Sequence, residues 1–244
     1  MQFVRSILFY ALFLLWTLVI SLAGLPLLAL PRRHMIRLGR IWCSGVLALL
    51  DRIAGITHEV RGPPPTGPVI VAAKHQSSWE TFVLPVLLGN PAYVLKRELT
   101  LIPLLGRCFV KVGHIAVDRT AGGKALRSMI KDAKAIKAEG RPIVIFPEGT
   151  RTAAGSSGDY QAGVSALYLH LDLPVVPVAL NSGLYWPRRT VLKRPGRIVI
   201  EFLEPILPGK DRESFMSTLH CRIEEATRRL VRAGETPARD DDAA

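Results

Sequence analysis

The chain begins with a long apolar run that carries no charge. Residues 6–31 contain no Asp, Glu, Lys, Arg or His, and most are leucine, isoleucine, valine or phenylalanine. A helix needs about 20 such residues to cross the hydrocarbon core of a bilayer, so the run predicts a membrane segment. A cleaved signal peptide is the competing interpretation, but the run is longer than a signal peptide's apolar region and ends in Leu-Pro-Arg-Arg. Pro26 leaves open a bent spanning helix, a re-entrant helix or an interfacial one.

Positive charges follow this run at once. Arg32, Arg33, Arg37 and Arg40 come directly after it, and the first 50 residues contain no aspartate or glutamate. By the positive-inside rule, the rest of the chain is expected on the cytoplasmic side. The next apolar stretch, residues 41–50, predicts an amphipathic helix on the membrane surface. The alternative is a core helix of the main domain.

Short β-branched runs then alternate with helical patterns. Runs of about four to eight apolar residues are typical of buried strands, and they occur at residues 69–73, 92–95, 115–117, 143–146, 175–180 and 198–202. The clearest amphipathic helix spans residues 122–139, with weaker helical patterns at 79–88, 162–171 and 213–232. This alternation predicts an α/β fold: a layered domain with a mixed, largely parallel sheet flanked by helices, preceded by an N-terminal membrane-attached helical segment.

Prolines and glycines mark the predicted domain boundary. Residues 61–68 read Arg-Gly-Pro-Pro-Pro-Thr-Gly-Pro, a composition that excludes helix. We therefore expect a membrane segment with its amphipathic helix in residues 1–60 and the main domain in residues 61–234. Residues 235–244 contain a proline and three consecutive aspartates, and they predict a disordered tail.

Composition narrows the class of partner. The chain has 244 residues, of which 32 are Lys or Arg and 20 are Asp or Glu, giving a formal charge of +12. This excess favours anionic partners such as phosphates, nucleic acid or an acidic lipid surface. The three cysteines are far apart and form no Cys-x-x-Cys. The sequence therefore indicates neither a disulfide framework nor a cysteine-rich zinc site.

A histidine and a carboxylate follow the first strand predicted for the main domain. Residues 73–80 read Ala-Lys-His-Gln-Ser-Ser-Trp-Glu, and loops at strand ends often carry function in α/β folds. His75 and Glu80 would lie about 140° apart on an ideal helix, so they meet only if Gln-Ser-Ser makes a turn. In that case Glu80 can orient the imidazole and leave its other nitrogen as a general base. The alternative is a surface histidine beside a helix N-terminus.

Two further loops place an arginine just past an apolar run. Residues 146–151 read Phe-Pro-Glu-Gly-Thr-Arg, and residues 113–119 end in Arg119. The first of these loops can hold a phosphate, because Arg151 donates a planar fork and Gly149 lets backbone amides approach. Each arginine alone is more often a solvated surface residue. Two of them beside a His/Glu pair favour an anion site.

These motifs together resemble the glycerolipid acyltransferases, most closely the 1-acyl-sn-glycerol-3-phosphate (lysophosphatidic acid) acyltransferase family. The resemblance covers about residues 74–183 in four ordered blocks. His75 and Glu80 match the His-x4-acid block, in which most members carry Asp. Residues 113–119 match a block ending in a phosphate-binding arginine, and residues 146–151 match the family's Phe-Pro-Glu-Gly-Thr-Arg block. The fourth block, an apolar strand containing proline, is matched by Val-Val-Pro-Val at residues 175–178.

The resemblance implies the reaction and the catalytic roles. A fatty acyl group would pass from acyl-CoA or acyl-carrier protein to the free hydroxyl of lysophosphatidic acid, forming phosphatidic acid in phospholipid biosynthesis. His75 would deprotonate that hydroxyl while Glu80 orients the imidazole. Arg119 and Arg151, with Lys96, would hold the acceptor phosphate. No metal and no tightly bound cofactor are implied.

The remaining implications concern the Phe-Pro-Glu-Gly-Thr-Arg loop and the location of the enzyme. Glu148 would hold an acceptor hydroxyl or brace an arginine, and Gly149 and Thr150 would complete the substrate-binding loop. Gln161 stands where many family members have a lysine. The expected partners are the lipid bilayer, a lysophospholipid acceptor and the acyl donor. The catalytic domain would face the cytoplasm at the bacterial inner membrane.

Other function classes lack their motifs. The chain has no Gly-x-Ser-x-Gly, no P-loop and no His-Glu-x-x-His. A nonenzymatic basic protein of the membrane surface would explain the charge and the apolar run, but not the two motif loops. Nucleic-acid binding is not expected, because the basic residues are spread out and some flank the membrane segment. Another lysolipid acceptor stays open as an alternative.

Overall fold

A computed structural model gives the fold and describes residues 1–235. The predicted disordered tail lies outside the described residues, except for Glu235, which ends the last helix. The strands in chain order are β1 (Ile56–Arg61), β2 (Ile70–Ala73), β3 (Ala92–Lys96), β4 (Ile115–Val117), β5 (Ile143–Ile145), β6 (Val175–Leu180) and β7 (Gly196–Phe202). The helices are α1 (Gln2–Leu27), α2 (Arg32–Leu49), α3 (Trp79–Leu88), α4 (Leu105–Val112), α5 (Gly122–Ala138), α6 (Ala162–Leu171) and α7 (Arg212–Glu235).

All seven strands form one sheet in the order β1-β7-β6-β2-β5-β3-β4. Neighbouring strands from β6 to β4 are parallel, β7 is antiparallel to β6, and β1 is parallel to β7. The predicted mixed, largely parallel sheet is therefore confirmed. The six strands predicted from β-branched runs are all present, with ends that differ by at most two residues.

Helices cover both faces of the sheet. Side chains alternate along a strand, so Val71 and Ala73 of β2 pack with α1, α2 and α3, whereas Ile70 and Ala72 pack with α5, α6 and α7. Because both faces are covered, the central strands are apolar at almost every position. Strand β6, for example, is buried at all six residues.

The carboxyl ends of the five parallel strands lie on one edge of this sheet. Beyond them come His75 after β2, Arg119 after β4, residues 146–151 after β5 and Ser182 after β6, while Lys96 is the last residue of β3. Crevices at such edges are where open α/β sheets bind ligands. The topology thus gathers the predicted site residues at one place.

Two boundary predictions need correction. Strand β1 pairs along its whole length with β7, so the sheet begins at Ile56, before the predicted boundary at residue 61. The helix predicted at residues 41–50 begins nine residues earlier, at Arg32. One face of this helix packs in the core, as the alternative predicted, because Cys43 and Val46 are buried against the sheet layer. The contact of its other face with the membrane surface stays a prediction.

Helix α1 lies against the rest of the protein along its length. At its start the Arg5 Nε donates to the carbonyl of Ile53 at 2.6 Å, and Phe9 is fully buried next to Trp186. Farther along, the Trp16 indole donates to the carbonyl of Trp42 at 3.1 Å. The opposite side of α1 exposes large apolar side chains: Ile7, Leu8, Leu14, Leu15, Leu18 and Leu22.

The α1–α2 contact allows a test with two glycines of the same helix. A Cβ added at Gly45 would overlap the Trp16 indole, whereas one added at Gly39 meets no atom within 4 Å. Gly39→Ala should raise the free energy of unfolding by about 0.5–1 kcal/mol, because alanine favours helix. Gly45→Ala should lower it by about 1–3 kcal/mol through overpacking. Denaturant titration of both variants in the same detergent measures this difference, and equal stability would contradict the described packing.

Candidate active site

His75 and Glu80 form the centre of the site. The His75 Nδ1 and the Glu80 Oε1 lie 2.9 Å apart. The required turn is present: the backbone N–H groups of Gln76 and Ser77 both donate to the same Glu80 oxygen at 2.7 Å. An acidic side chain in the first turn of α3 thus folds the preceding loop back over the helix N-terminus, where a negative charge is favourable.

The Glu80 carboxylate is completely enclosed. Its side chain has no exposed surface, and its second oxygen accepts a hydrogen bond from the Ser182 hydroxyl at 2.9 Å. All four partners of the two oxygens are donors when the imidazole proton is on Nδ1, which suits a carboxylate. That tautomer leaves the Nε2 lone pair of His75 free. The imidazole also stacks on Phe146, with ring centroids 4.0 Å apart.

Glu148 does not point into the site, contrary to the expectation that it contacts substrate. Its Oε2 accepts the backbone N–H of His75 at 2.9 Å, and its Oε1 accepts the Thr152 hydroxyl at 2.8 Å. The Lys74 ammonium lies 2.6 Å from the same Oε1. The Glu148 carboxylate therefore contacts Lys74 and the backbone of His75. It does not pair with an arginine, which was the other prediction for this residue.

The cationic side chains surround the opening in front of His75. Arg119 is exposed and donates to the carbonyl of Gly149. Gly149 itself has φ +66°, and a Cβ there would come within 3.2 Å of the Arg119 guanidinium. Arg151 donates to the Ser78 hydroxyl at 2.9 Å. Each arginine keeps donors beyond these bonds, because a guanidinium has five.

A cavity of about 790 Å³ joins these residues. Its polar part contains six of the eight predicted site residues, namely His75, Lys96, Arg119, Gly149, Thr150 and Arg151. Its remaining walls are mostly apolar and come from helices α1 to α6 and the edge of the sheet. Glu80 and Glu148 lie behind this wall. Burial, with a smaller effect of Arg141, lowers the pKa of His114 in the wall to about 4, so this imidazole is neutral at pH 7.

Three residues of the site were missed by sequence reasoning. Ser182 donates a hydrogen bond to Glu80, while Lys74 and Glu224 form a buried ion pair at 2.7 Å. A signal for Glu224 exists in the sequence, because it lies beside Ile223 in the buried stripe of α7, where it is the one charged residue. Ser182 and Lys74 carry no comparable signal. Within residues 1–235, no group of three or more His, Cys, Asp or Glu side chains is placed to hold a metal ion.

Comparison with known proteins agrees with this geometry. The sequence model of the acyltransferase family matches residues 56–181. A 1-acyl-sn-glycerol-3-phosphate acyltransferase of Pseudomonas aeruginosa is 37% identical over 206 residues, which cover 82% of this chain and 79% of the relative. The chain belongs to the 1-acyl-sn-glycerol-3-phosphate acyltransferase family. As a member it is an acyltransferase, and the alternative of a nonenzymatic surface protein is excluded.

More distant members of the acyltransferase family extend the comparison. The 1-acyl-sn-glycerol-3-phosphate acyltransferase of Limnanthes alba is 32% identical over 184 residues, which cover 73% of this chain and 65% of the relative. The crystal structure of the 1-acyl-sn-glycerophosphate (LPA) acyltransferase PlsC from Thermotoga maritima shares the fold, with a TM-score of 0.79 at 21% identity. That match covers 94% of this chain and 98% of the other. The family match begins at the first residue of β1, which agrees with the corrected start of the sheet.

Proposed function

We propose that this acyltransferase transfers a fatty acyl group from acyl-CoA or acyl-carrier protein to the free hydroxyl of lysophosphatidic acid, forming phosphatidic acid. The observation that carries the proposal is the 2.9 Å contact between His75 and Glu80 at the wall of a cavity lined by Lys96, Arg119 and Arg151. The names of the relatives support the same acceptor. Mass spectrometry of the products from a panel of lysolipids, offered with each donor, tests acceptor and donor separately.

The proposed reaction is a direct transfer with His75 as the base. The Nε2 of His75 takes the proton of the acceptor hydroxyl as its oxygen attacks the thioester carbonyl carbon. The carbon–sulfur bond then breaks, and the imidazolium returns the proton to the leaving thiolate. Glu80 holds the imidazole in the required tautomer and stabilises its positive charge. An alcohol can attack a thioester directly, so this route needs no acyl-enzyme.

The two parts of the cavity suit the two ends of the substrates. The cationic part can hold the acceptor phosphate, because guanidinium groups bind phosphate oxygens in pairs. The apolar part, between the N-terminal helices and the sheet edge, can hold an acyl chain with little exposure to water. This division supports an amphiphilic acceptor and a fatty acyl donor, and an adjacent membrane can supply the acceptor.

We further propose that α1 lies in one leaflet of the membrane on the side of the catalytic domain, the cytoplasmic side. Two observations support this arrangement. Both ends of the helix are held by the same folded body: Arg5 bonds the carbonyl of Ile53, and a Cβ at Gly24 would lie 3.2 Å from the Cys108 sulfur. Between these ends, one side of the helix is an apolar exposed surface. The arginines that follow the helix support the cytoplasmic side for the domain, because positive charges are enriched there.

The first prediction from the proposed function concerns the catalytic pair. His75→Ala should lower kcat by about 10²- to 10⁴-fold, because a positioned base contributes that much, while the protein stays folded. Glu80→Gln should lose most activity, since its amide NH2 cannot accept from the surrounding donors. Glu80→Asp should keep more of the activity, because it preserves the carboxylate. Steady-state kinetics and circular dichroism of the purified variants check this, and near-normal turnover of His75→Ala would remove the assigned role.

The second prediction concerns the acceptor phosphate. Arg119→Ala and Arg151→Ala should each raise the acceptor KM by about 10- to 100-fold, the effect of losing a charge-assisted hydrogen bond. Donor KM should change little. Arg151→Lys should recover only part of the affinity, because an ammonium lacks the planar fork.

Kinetics with acceptor and donor varied separately, in micelles of fixed composition, measure these effects. Arg197→Ala is the matched control, since this exposed arginine lies on β7 and does not line the cavity. A rise in donor KM alone would assign the two arginines to the donor site instead.

The third prediction concerns the placement of α1. Cysteines introduced at Gln2 and Leu30, in a chain without its native cysteines, should both react with an impermeant maleimide in inverted membrane vesicles. Both should stay unlabelled in intact spheroplasts. Labelling of the two positions from opposite sides would show instead that the helix spans the membrane.

A further inference from the structure

The residue before His75 has a completely buried charge. The Lys74 side chain has no exposed surface, and its Nζ lies 2.6 Å from Glu148 Oε1 and 2.7 Å from Glu224 Oε1. A third acceptor, the carbonyl of Ser156, lies at 3.1 Å. Two of these contacts, to Glu224 and Ser156, are hydrogen bonds, and the Glu148 carboxylate is an ion-pair partner. The position of Nζ is therefore set from three directions.

Glu148 connects this lysine to the backbone of His75. Its Oε1 contacts Lys74, while its Oε2 accepts the N–H of His75 at 2.9 Å. The His75 carbonyl is also held, because it accepts the Thr152 N–H at 2.8 Å. The Thr152 hydroxyl in turn donates to Glu148 Oε1. Both backbone polar groups of His75 are thus held by the loop that follows β5.

Glu224 brings the C-terminal helix into this network. It lies on α7, outside the residues 56–181 that match the family model. Besides Lys74, its Oε1 accepts the Tyr160 hydroxyl at 3.0 Å. Burial raises the pKa of the Tyr160 phenol, as do the nearby Glu224 and Glu148 carboxylates, so this group stays a donor. Glu224 therefore accepts hydrogen bonds from Lys74 and Tyr160, and these two bonds fix the position of its carboxylate.

We propose that Lys74 and Glu224 are positioning residues: a buried ion pair through which α7 holds Glu148, and with it the backbone of His75, at the cavity wall. The inference rests on the proposed function, because it takes His75 as the base. One cation lies between two buried carboxylates, so losing it leaves two like charges close together and out of water. Glu148 must then move away or take up a proton, and either change releases the N–H of His75.

The test compares Lys74→Met, Glu224→Gln and the double variant. Lys74→Met should lower kcat by about 10- to 100-fold, as expected for a shift of the base by about 1 Å. The acceptor KM should stay within about twofold, because the cavity cations are untouched. In the double variant the second negative charge is absent, so Glu148 no longer lies near a like charge. Its kcat should therefore be higher than that of Lys74→Met alone.

A matched control distinguishes this positioning role from a general effect of loosening the contact between α7 and the sheet. Arg229 of the same helix forms an exposed ion pair with Glu201 of β7 at 2.7 Å. Arg229→Gln removes that second connection to the sheet and should leave kcat unchanged. His75→Ala, measured in parallel, tests the proposed function itself. If His75→Ala is inactive but folded Lys74→Met has normal kcat, only the positioning inference is wrong.

Two other results also decide the question. A double variant no more active than Lys74→Met would overturn the coupling between Lys74 and Glu224. If Lys74→Met does not fold, the milder Glu224→Gln decides, with circular dichroism to establish that it is folded. A loss of about threefold or more in its kcat, at unchanged acceptor KM, supports the inference. An unchanged kcat contradicts it.

Discussion

Parallel pairing of five strands is the constraint on which the site depends. In a parallel set every strand ends on the same edge, so the loops after β2, β4, β5 and β6 meet there, as does the end of β3. The His75–Glu80 pair, the two arginines and Ser182 come from different parts of the chain. They meet because each follows a strand of the same direction. The two strands of opposite direction, β7 and β1, extend the sheet without contributing to this edge.

Two buried carboxylates then hold the histidine in different ways. Glu80 acts on the side chain, because it bonds Nδ1 and is itself held by two backbone N–H groups and Ser182. Glu148 acts on the backbone of the same residue. Each carboxylate is enclosed and surrounded by donors, so neither can turn easily toward the cavity. This arrangement keeps both acids behind the wall while the imidazole faces the cavity.

The N-terminal helices form part of the same cavity, in addition to carrying the exposed apolar surface of α1. Residues of α1 and α2, among them Ile20, Met35 and Trp42, line its apolar part. Aromatic contacts join helix α1 to α3, through Phe13 with Phe82, and to the segment after β6, through Phe9 with Trp186. Its outer side remains apolar and exposed. Under the proposed function, this arrangement would let a membrane-embedded acceptor reach the cavity without passing through water.

The sequence by itself determined the α/β class, six of the seven strands, most helices, and the motif loops at strand ends. These features depend on local periodicity and on neighbouring residues in the chain. The apolar run of β6 and the amphipathic pattern of α5 are examples. Strand β1 was not predicted because its sequence, Ile-Thr-His-Glu-Val-Arg, is mostly polar, and only pairing with β7 makes it a strand.

Glu148 is part of a recognisable motif, yet the direction of its side chain depends on contacts with Lys74, Thr152 and the backbone of His75. The partner of that lysine, Glu224, is 150 residues away, and no spacing rule joins positions so distant. Only the packing of α7 on the sheet brings the two charges together, because a buried charge takes its partner from whichever element covers it.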